Sequence, residues 1–169
     1  MDKNIVLCGF MGSGKSVTGK LIAEKLGLSF VDMDDFIEKE NQMTVAQIFS
    51  KYGEQTFRKM ETDAAKLLGK KRGLVIACGG GAVINPQNVD YLKSGGNIFY
   101  LEVSADTVKK RLKNDTTRPL LAKDKENAIE SLLKERKAVY KAVADYTIDS
   151  NGSKHSAAEE IIKIYKSGL

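Results

Sequence analysis

Apolar residues fall along this chain in two alternating rhythms. Short unbroken apolar runs read as strands, at Ile5–Cys8, Phe30–Asp32, Leu74–Cys78, Ile98–Val103 and Tyr146–Asp149. Between them, apolar positions recur every three or four residues, the spacing that gathers them on one helix face. It predicts helices over about Lys15–Leu26, Asp34–Asn41, Thr44–Tyr52, Glu54–Leu68, Pro86–Ser94, Ala105–Lys113, Lys125–Ala144 and Ala157–Lys166. Ile5–Cys8 and Leu74–Cys78 are apolar without alternation, as strands covered on both faces should be. Strand–helix alternation of this kind implies an α/β fold, a parallel sheet sandwiched by helices. At 169 residues the chain is long enough for one such domain.

The polar positions punctuate the pattern. Asp34 and Thr44 stand where helix N-caps belong, Asn85-Pro86 offers a cap followed by proline, and Ser104 opens another helix. Gly27, Gly53, Gly69 and Gly95-Gly96 are expected to close or separate helices. One irregular stretch, Asn114–Asp124, joins two helices and is a candidate lid.

The loop after the first strand carries the most specific chemistry. Gly9-Phe10-Met11-Gly12-Ser13-Gly14-Lys15-Ser16 reads G-x-x-x-x-G-K-S, set between a strand and a helix. Its glycines let successive backbone N–H groups curl toward an anion, and the following helix adds its positive dipole end. Lys15 is placed to reach the outer phosphates of a nucleotide, and Ser16 to ligate Mg²⁺. Gly12, Ser13, Gly14, Lys15, Ser16 and Val17 are the candidate nucleotide contacts.

Ligands of an open parallel sheet gather beyond the carboxyl ends of its strands, so the loops there are the place for partner residues. Asp32 and Asp34 come at and just after the end of the second strand, and their i, i+2 spacing at the strand end is expected to point both the same way. One carboxylate suits the metal, the other can accept a proton from a substrate hydroxyl. Gly79-Gly80-Gly81 follows the third strand and brings bare backbone into the same crevice. The chain is rich in lysine but has only five arginines, so each raises the question of a planar, bidentate role. Arg58 has Glu54 and Glu61 at helical spacing; Arg111 closes a helix, either serving its dipole or stacking on a base; Arg118 lies in the candidate lid; Arg136 has Tyr140 one turn on.

Charge and cysteines narrow the class. Net charge is +5, but the basic residues are dispersed on helix surfaces, which favours small anionic substrates over nucleic acid. Cys8 and Cys78 form no C-x-x-C pair, which argues against a disulfide framework or cysteine metal site. No apolar stretch is long enough to span a bilayer and no signal peptide fits the start, so a cytoplasmic setting without membrane partners is expected. The single His155 lies far from any motif.

Taken together, the chain resembles the shikimate kinases. The resemblance rests on Gly9–Ser16, Phe30-Val31-Asp32-Met33-Asp34 with Ile37-Glu38, Phe57-Arg58 with Glu61, Gly79-Gly80-Gly81, Arg118-Pro119-Leu120-Leu121, and Arg136 with Tyr140. It implies the P-loop fold of the nucleoside monophosphate kinase type, with five strands ordered 2-3-1-4-5 and a lid. It implies transfer of the ATP γ-phosphoryl group to the 3-hydroxyl of shikimate, with Mg²⁺, by a monomer. By the same resemblance, Asp34 is base and hydroxyl ligand, and Arg58 and Arg136 grip the substrate carboxylate. Gly80 and its neighbours give backbone contacts, Arg118 and Lys15 attend the phosphates, Ser16 and Asp32 the metal, and Arg111 the nucleotide. The segment Ser150–Lys154 lacks the proline that the family often has at the adenine edge. Two other readings remain. A gluconate kinase would also take a polyhydroxy carboxylate, and a nucleotide-sensing module would keep the fold without turnover.

Overall fold

Five parallel strands form one sheet in the order β2-β3-β1-β4-β5 in the computed structural model, which describes residues 3–113 and 125–168. The strands are β1 (Asn4–Cys8), β2 (Ser29–Asp32), β3 (Leu74–Ala77), β4 (Gly96–Glu102) and β5 (Tyr146–Asp149). The helices are α1 (Lys15–Leu26), α2 (Met33–Asn41), α3 (Val45–Lys70), α4 (Pro86–Gly95), α5 (Ala105–Leu112), α6 (Lys125–Val143) and α7 (Lys154–Lys166). The candidate lid, with Arg118, lies outside the described residues.

Central β1 pairs with β3 on one side (Val6 opposite Ile76) and β4 on the other (Val6 opposite Ile98). Its side chains alternate between two cores. Val6 and Cys8 join Ile76, Ile98 and Tyr100 beneath α2, α3, α4 and α6, while Ile5 and Leu7 join Val75, Phe99 and Leu101 beneath α1 and α7. Both faces of the strand are thus dry, which is why its sequence shows no polar alternation. Buried Asn4 donates to the Leu68 and Lys71 carbonyls and accepts from the Leu74 N–H, tying the end of α3 to the start of β3.

Some boundaries fall as expected and others differ. Both helices predicted on either side of Gly53 are present, labelled here as the one element α3, and Gly53 separates them as expected, its φ of 84° and ψ of 172° breaking the helical run and suiting a residue without a side chain. Gly69 does not end that helix; a Cβ there would come within 2.0 Å of the Tyr91 carbonyl, so it lets α3 and α4 pack together. Gly95 ends α4 and Gly96 caps it, its N–H donating to the Leu92 carbonyl, while the same Gly96 starts β4. α7 begins at Lys154, capped by Ser153, and so includes His155.

Asp34 is not an N-cap. Asp32 takes that place, its Oδ1 accepting from the N–H groups of Asp34 (3.0 Å) and Asp35 (3.2 Å). The strand stops at Asp32, and Asp34 sits in the first turn of α2. The pair is therefore brought together by a strand-to-helix corner, not by strand alternation.

Candidate active site

The loop between β1 and α1 has its carbonyls occupied from behind. Lys15 Nζ donates to the carbonyls of Gly9 (2.8 Å) and Phe10 (3.1 Å), and Arg111 Nη1 to that of Gly12 (2.9 Å). Ser150 Oγ donates to the Ser13 carbonyl (2.7 Å), and the Thr18 N–H to that of Gly14 (2.9 Å). Gly12 and Gly14 hold positive φ of 80° and 89°, which reverses successive peptide planes. A loop built this way offers donors and a positive helix end to an anion.

Ser16 Oγ donates to Asp32 Oδ2 at 2.8 Å. One hydroxyl and one carboxylate at that separation, at the mouth of a phosphate loop, are hard oxygen donors of the kind Mg²⁺ takes. Asp32 can offer this oxygen because its other one is engaged with α2.

On the far side of the crevice the three glycines after β3 each face a different charged side chain. A Cβ on Gly79 would lie 2.8 Å from Asp34 Oδ1, one on Gly80 3.0 Å from Arg136 Nη1, and one on Gly81 2.7 Å from Arg58 Nη1. Any side chain in this turn would displace one of them. The glycine carbonyls are again spoken for: Gly79 accepts from Ala82 N–H (3.1 Å), Gly80 from Tyr140 Oη (2.6 Å) and Gly81 from Ile84 N–H (3.2 Å). Among the described residues none accepts from the N–H groups of the three glycines. The turn, like the phosphate loop, has donors to spare.

Arg58, on α3, is held by Glu61 (2.9 Å) and more loosely by Glu54 (3.4 Å). Its guanidinium lies 5.5 Å from the Phe57 ring centre. Glu61 is 2% exposed; burial raises its carboxyl, and the bond from Arg58 draws it part of the way back. Glu61 also feels Arg136, so both candidate carboxylate-binding arginines lean on one buried acid.

Asp34 stands between the two halves. Its Oδ1 is sealed from solvent with no hydrogen-bond partner among the described residues. Burial, with the nearby charges of Asp32 and Glu61, pushes its carboxyl up from 3.8 to about 6, and Lys15 pulls the other way. A carboxylate so tuned titrates near neutrality, where a general base works best.

The structure thus brings together Asp32, Asp34, Lys15, Ser16, Arg58, Arg136 and Gly79–Gly81. Arg111 donates to the Gly12, Ser150 and Gly152 carbonyls, tying the phosphate loop to the segment after β5. Val17 is exposed beside the loop. Sequence reasoning missed Ser150, because a serine after a strand carries no signal of a loop more than a hundred residues away. Among the described residues no helix is long and apolar enough to cross a membrane.

Comparison with known proteins bears directly on this arrangement. The family model described as shikimate kinase matches residues 11–166. A shikimate kinase of Thermodesulfovibrio yellowstonii is 47% identical over 97% of this chain and 95% of that protein. One of Caldicellulosiruptor bescii is 46% identical over 96% and 95%. Among solved structures, the shikimate kinase of Acinetobacter baumannii in complex with shikimate aligns with a TM-score of 0.92 at 38% identity, covering 99% of this chain and 94% of that one. A gluconokinase of Sinorhizobium meliloti aligns with a TM-score of 0.62 at 18% identity, a likeness of fold alone.

Proposed function

The chain belongs to the shikimate kinase family, and from that premise we propose how its crevice transfers the ATP γ-phosphoryl group to the 3-hydroxyl of shikimate. The products are 3-phosphoshikimate and ADP, on the way to chorismate and the aromatic amino acids. The observation that carries the reading is the glycine turn, with its three bare positions fronting one carboxylate and two guanidiniums.

Shikimate is a small acid bearing hydroxyls. Its carboxylate is taken by Arg58 and Arg136, whose planar forks match a carboxylate's two oxygens. Unengaged N–H groups of Gly79, Gly80 and Gly81 meet its oxygens. Asp34 accepts a hydrogen bond from the 3-hydroxyl and then its proton as the oxygen attacks the γ-phosphorus. The raised pKa of Asp34 lets it hold that proton after transfer.

ATP lies along the other wall. Backbone donors of Gly12, Ser13, Gly14, Lys15, Ser16 and Val17 cradle its phosphates, and Lys15 turns from the Gly9 and Phe10 carbonyls to the β- and γ-oxygens. Arg118 is assigned from its sequence position to the same phosphates. Ser16 and Asp32 fit Mg²⁺, which, when bound, neutralises charge on the triphosphate. Arg111 supports the nucleotide side through the loop it ties down. Catalysis on this reading is positioning and charge neutralisation, as phosphoryl transfer requires. The free, buried thiols of Cys8 and Cys78 support a reducing, cytoplasmic setting.

ADP release with Mg-ATP and a panel of shikimate, gluconate and nucleoside monophosphates tests the reading. Turnover with shikimate alone is expected; preference for gluconate or a nucleotide would overturn it.

A further inference from the structure

Tyr140 is completely buried on α6, its ring 5.2 Å from that of Tyr100 at an angle of 32°. Packing accounts for the ring. It does not account for the hydroxyl, which is turned into the acceptor site. Its O–H donates to the Gly80 carbonyl at 2.6 Å. Arg136, one helical turn earlier, reaches the same glycine: a Cβ on Gly80 would stand 3.0 Å from Arg136 Nη1 and 3.8 Å from Tyr140 Oη.

Tyr140 thus stands where the guanidinium of Arg136 meets the middle peptide of the glycine turn. In a trans peptide the C=O of one residue and the N–H of the next point in opposite directions. Holding the Gly80 carbonyl against α6 therefore turns the Gly81 N–H to the opposite side. The flanking Gly79 and Gly81 carbonyls are fixed by backbone donors, so Tyr140 is the one side chain among the described residues that sets the turn. The same oxygen limits the swing of Arg136, whose Nη1 approaches the bare Cα face of Gly80.

We propose that Tyr140 is a positioning residue for the acceptor, its hydroxyl locking Arg136 and the Gly80–Gly81 peptide into one preformed shikimate-binding surface. The inference rests on the shikimate kinase reading above. Desolvation pushes the phenol up to about 12, so it remains a donor across the working pH range.

The test is Tyr140→Phe, which keeps the ring and removes one oxygen, assayed by ADP release against both substrates. The expected result is a rise of about five- to tenfold in KM for shikimate, the scale of one lost hydrogen bond. KM for ATP and the melting temperature stay near wild type. In an Arg136→Ala background the same change should raise KM for shikimate by a smaller factor than in wild type, because only the Gly80–Gly81 part of the effect remains and linked effects do not add. An unchanged KM for shikimate, an equal rise for ATP, additivity with Arg136→Ala, or loss of cooperative melting would each overturn the proposal. Wild-type protein that fails to turn over shikimate would instead sink the reading beneath it.

Discussion

Asp34 and Gly79 meet with no room for a methyl group between them: a Cβ on Gly79 would stand 2.8 Å from Asp34 Oδ1 and 3.2 Å from Glu61 Oε2. Gly79→Ala should therefore swing the Asp34 carboxylate off its line to the acceptor hydroxyl. Displacements on the order of 1 Å cost about 10²-fold in rate, so kcat should fall by about that factor. KM for ATP should change little, because the atoms that a Cβ on Gly79 would meet belong to Asp34 and Glu61. Steady-state kinetics and a melting curve check this. The obstructing atoms belong to movable side-chain ends, so the fold should survive with only a small loss of stability.

The pH dependence follows from the same carboxylate. Burial first, then Asp32 and Glu61, raise the Asp34 pKa to about 6. As a base it must be ionised, so kcat/KM should decline as pH falls through about 6, and a profile without that limb would remove Asp34 from the role. Stability moves in the opposite sense. The folded state binds this proton more tightly than the unfolded state, so the favourable contribution is complete below the unfolded value near 4 and is lost as pH rises through about 6. At pH 8 the ionised, half-buried group is a net cost. Asp34→Asn should accordingly melt higher than wild type at pH 8, with the difference vanishing near pH 4, while kcat falls by roughly 10²–10⁴.

Arg58 separates binding from folding. Arg58→Ala removes one of two guanidiniums from the carboxylate site, and a charge-assisted contact of about 1.5–3 kcal/mol corresponds to a rise of one to two orders of magnitude in KM for shikimate. It also strands Glu61, which is 2% exposed and loses its 2.9 Å partner. Adding Glu61→Gln should restore much of the lost melting temperature, because no unpaired charge then remains buried. It should leave KM for shikimate as poor as in the single variant. Recovery of KM in the double variant would show that Arg58 acts on the fold rather than on substrate.

The elements whose chemistry is local were legible in the sequence. β1 and α1 follow directly from an apolar run and a glycine-lysine-serine loop, and the Asn85-Pro86 cap opens α4 as its residues demand. Arg58 and its acids lie three and four residues apart on one helix, so their pairing could be read from spacing. What could not be read depends on chain separation. The Ser150 bond to the Ser13 carbonyl joins residues 137 positions apart, and the Tyr140 bond to Gly80 spans 60. Nothing local to Ser150 or Tyr140 specifies its distant partner, and only the fold brings each pair together. Asp32 and Asp34 do lie together, but through a strand-to-helix corner rather than strand alternation, because propensity does not reveal at which of two aspartates a strand turns into a helix.

Asp32 serves two elements at once, and the two roles can be parted by choice of substitution. Its Oδ1 caps α2 through the N–H groups of Asp34 and Asp35, while its Oδ2 accepts from Ser16 at the proposed metal site. Asparagine is as good a cap as aspartate. Asp32→Asn should therefore melt close to wild type, but, lacking the negative charge, it should need about tenfold more Mg²⁺ to reach half its maximal rate, about 1.4 kcal/mol of metal affinity. Asp32→Ala should show the same metal defect and in addition lose about 1 kcal/mol of stability with the cap. Its kcat should fall further than that of Asp32→Asn even at saturating Mg²⁺, because Asp34 sits in the turn that the cap holds. A Mg²⁺ titration of kcat beside thermal melts of both variants decides the matter: equal metal requirements in wild type and Asp32→Asn would confine Asp32 to capping.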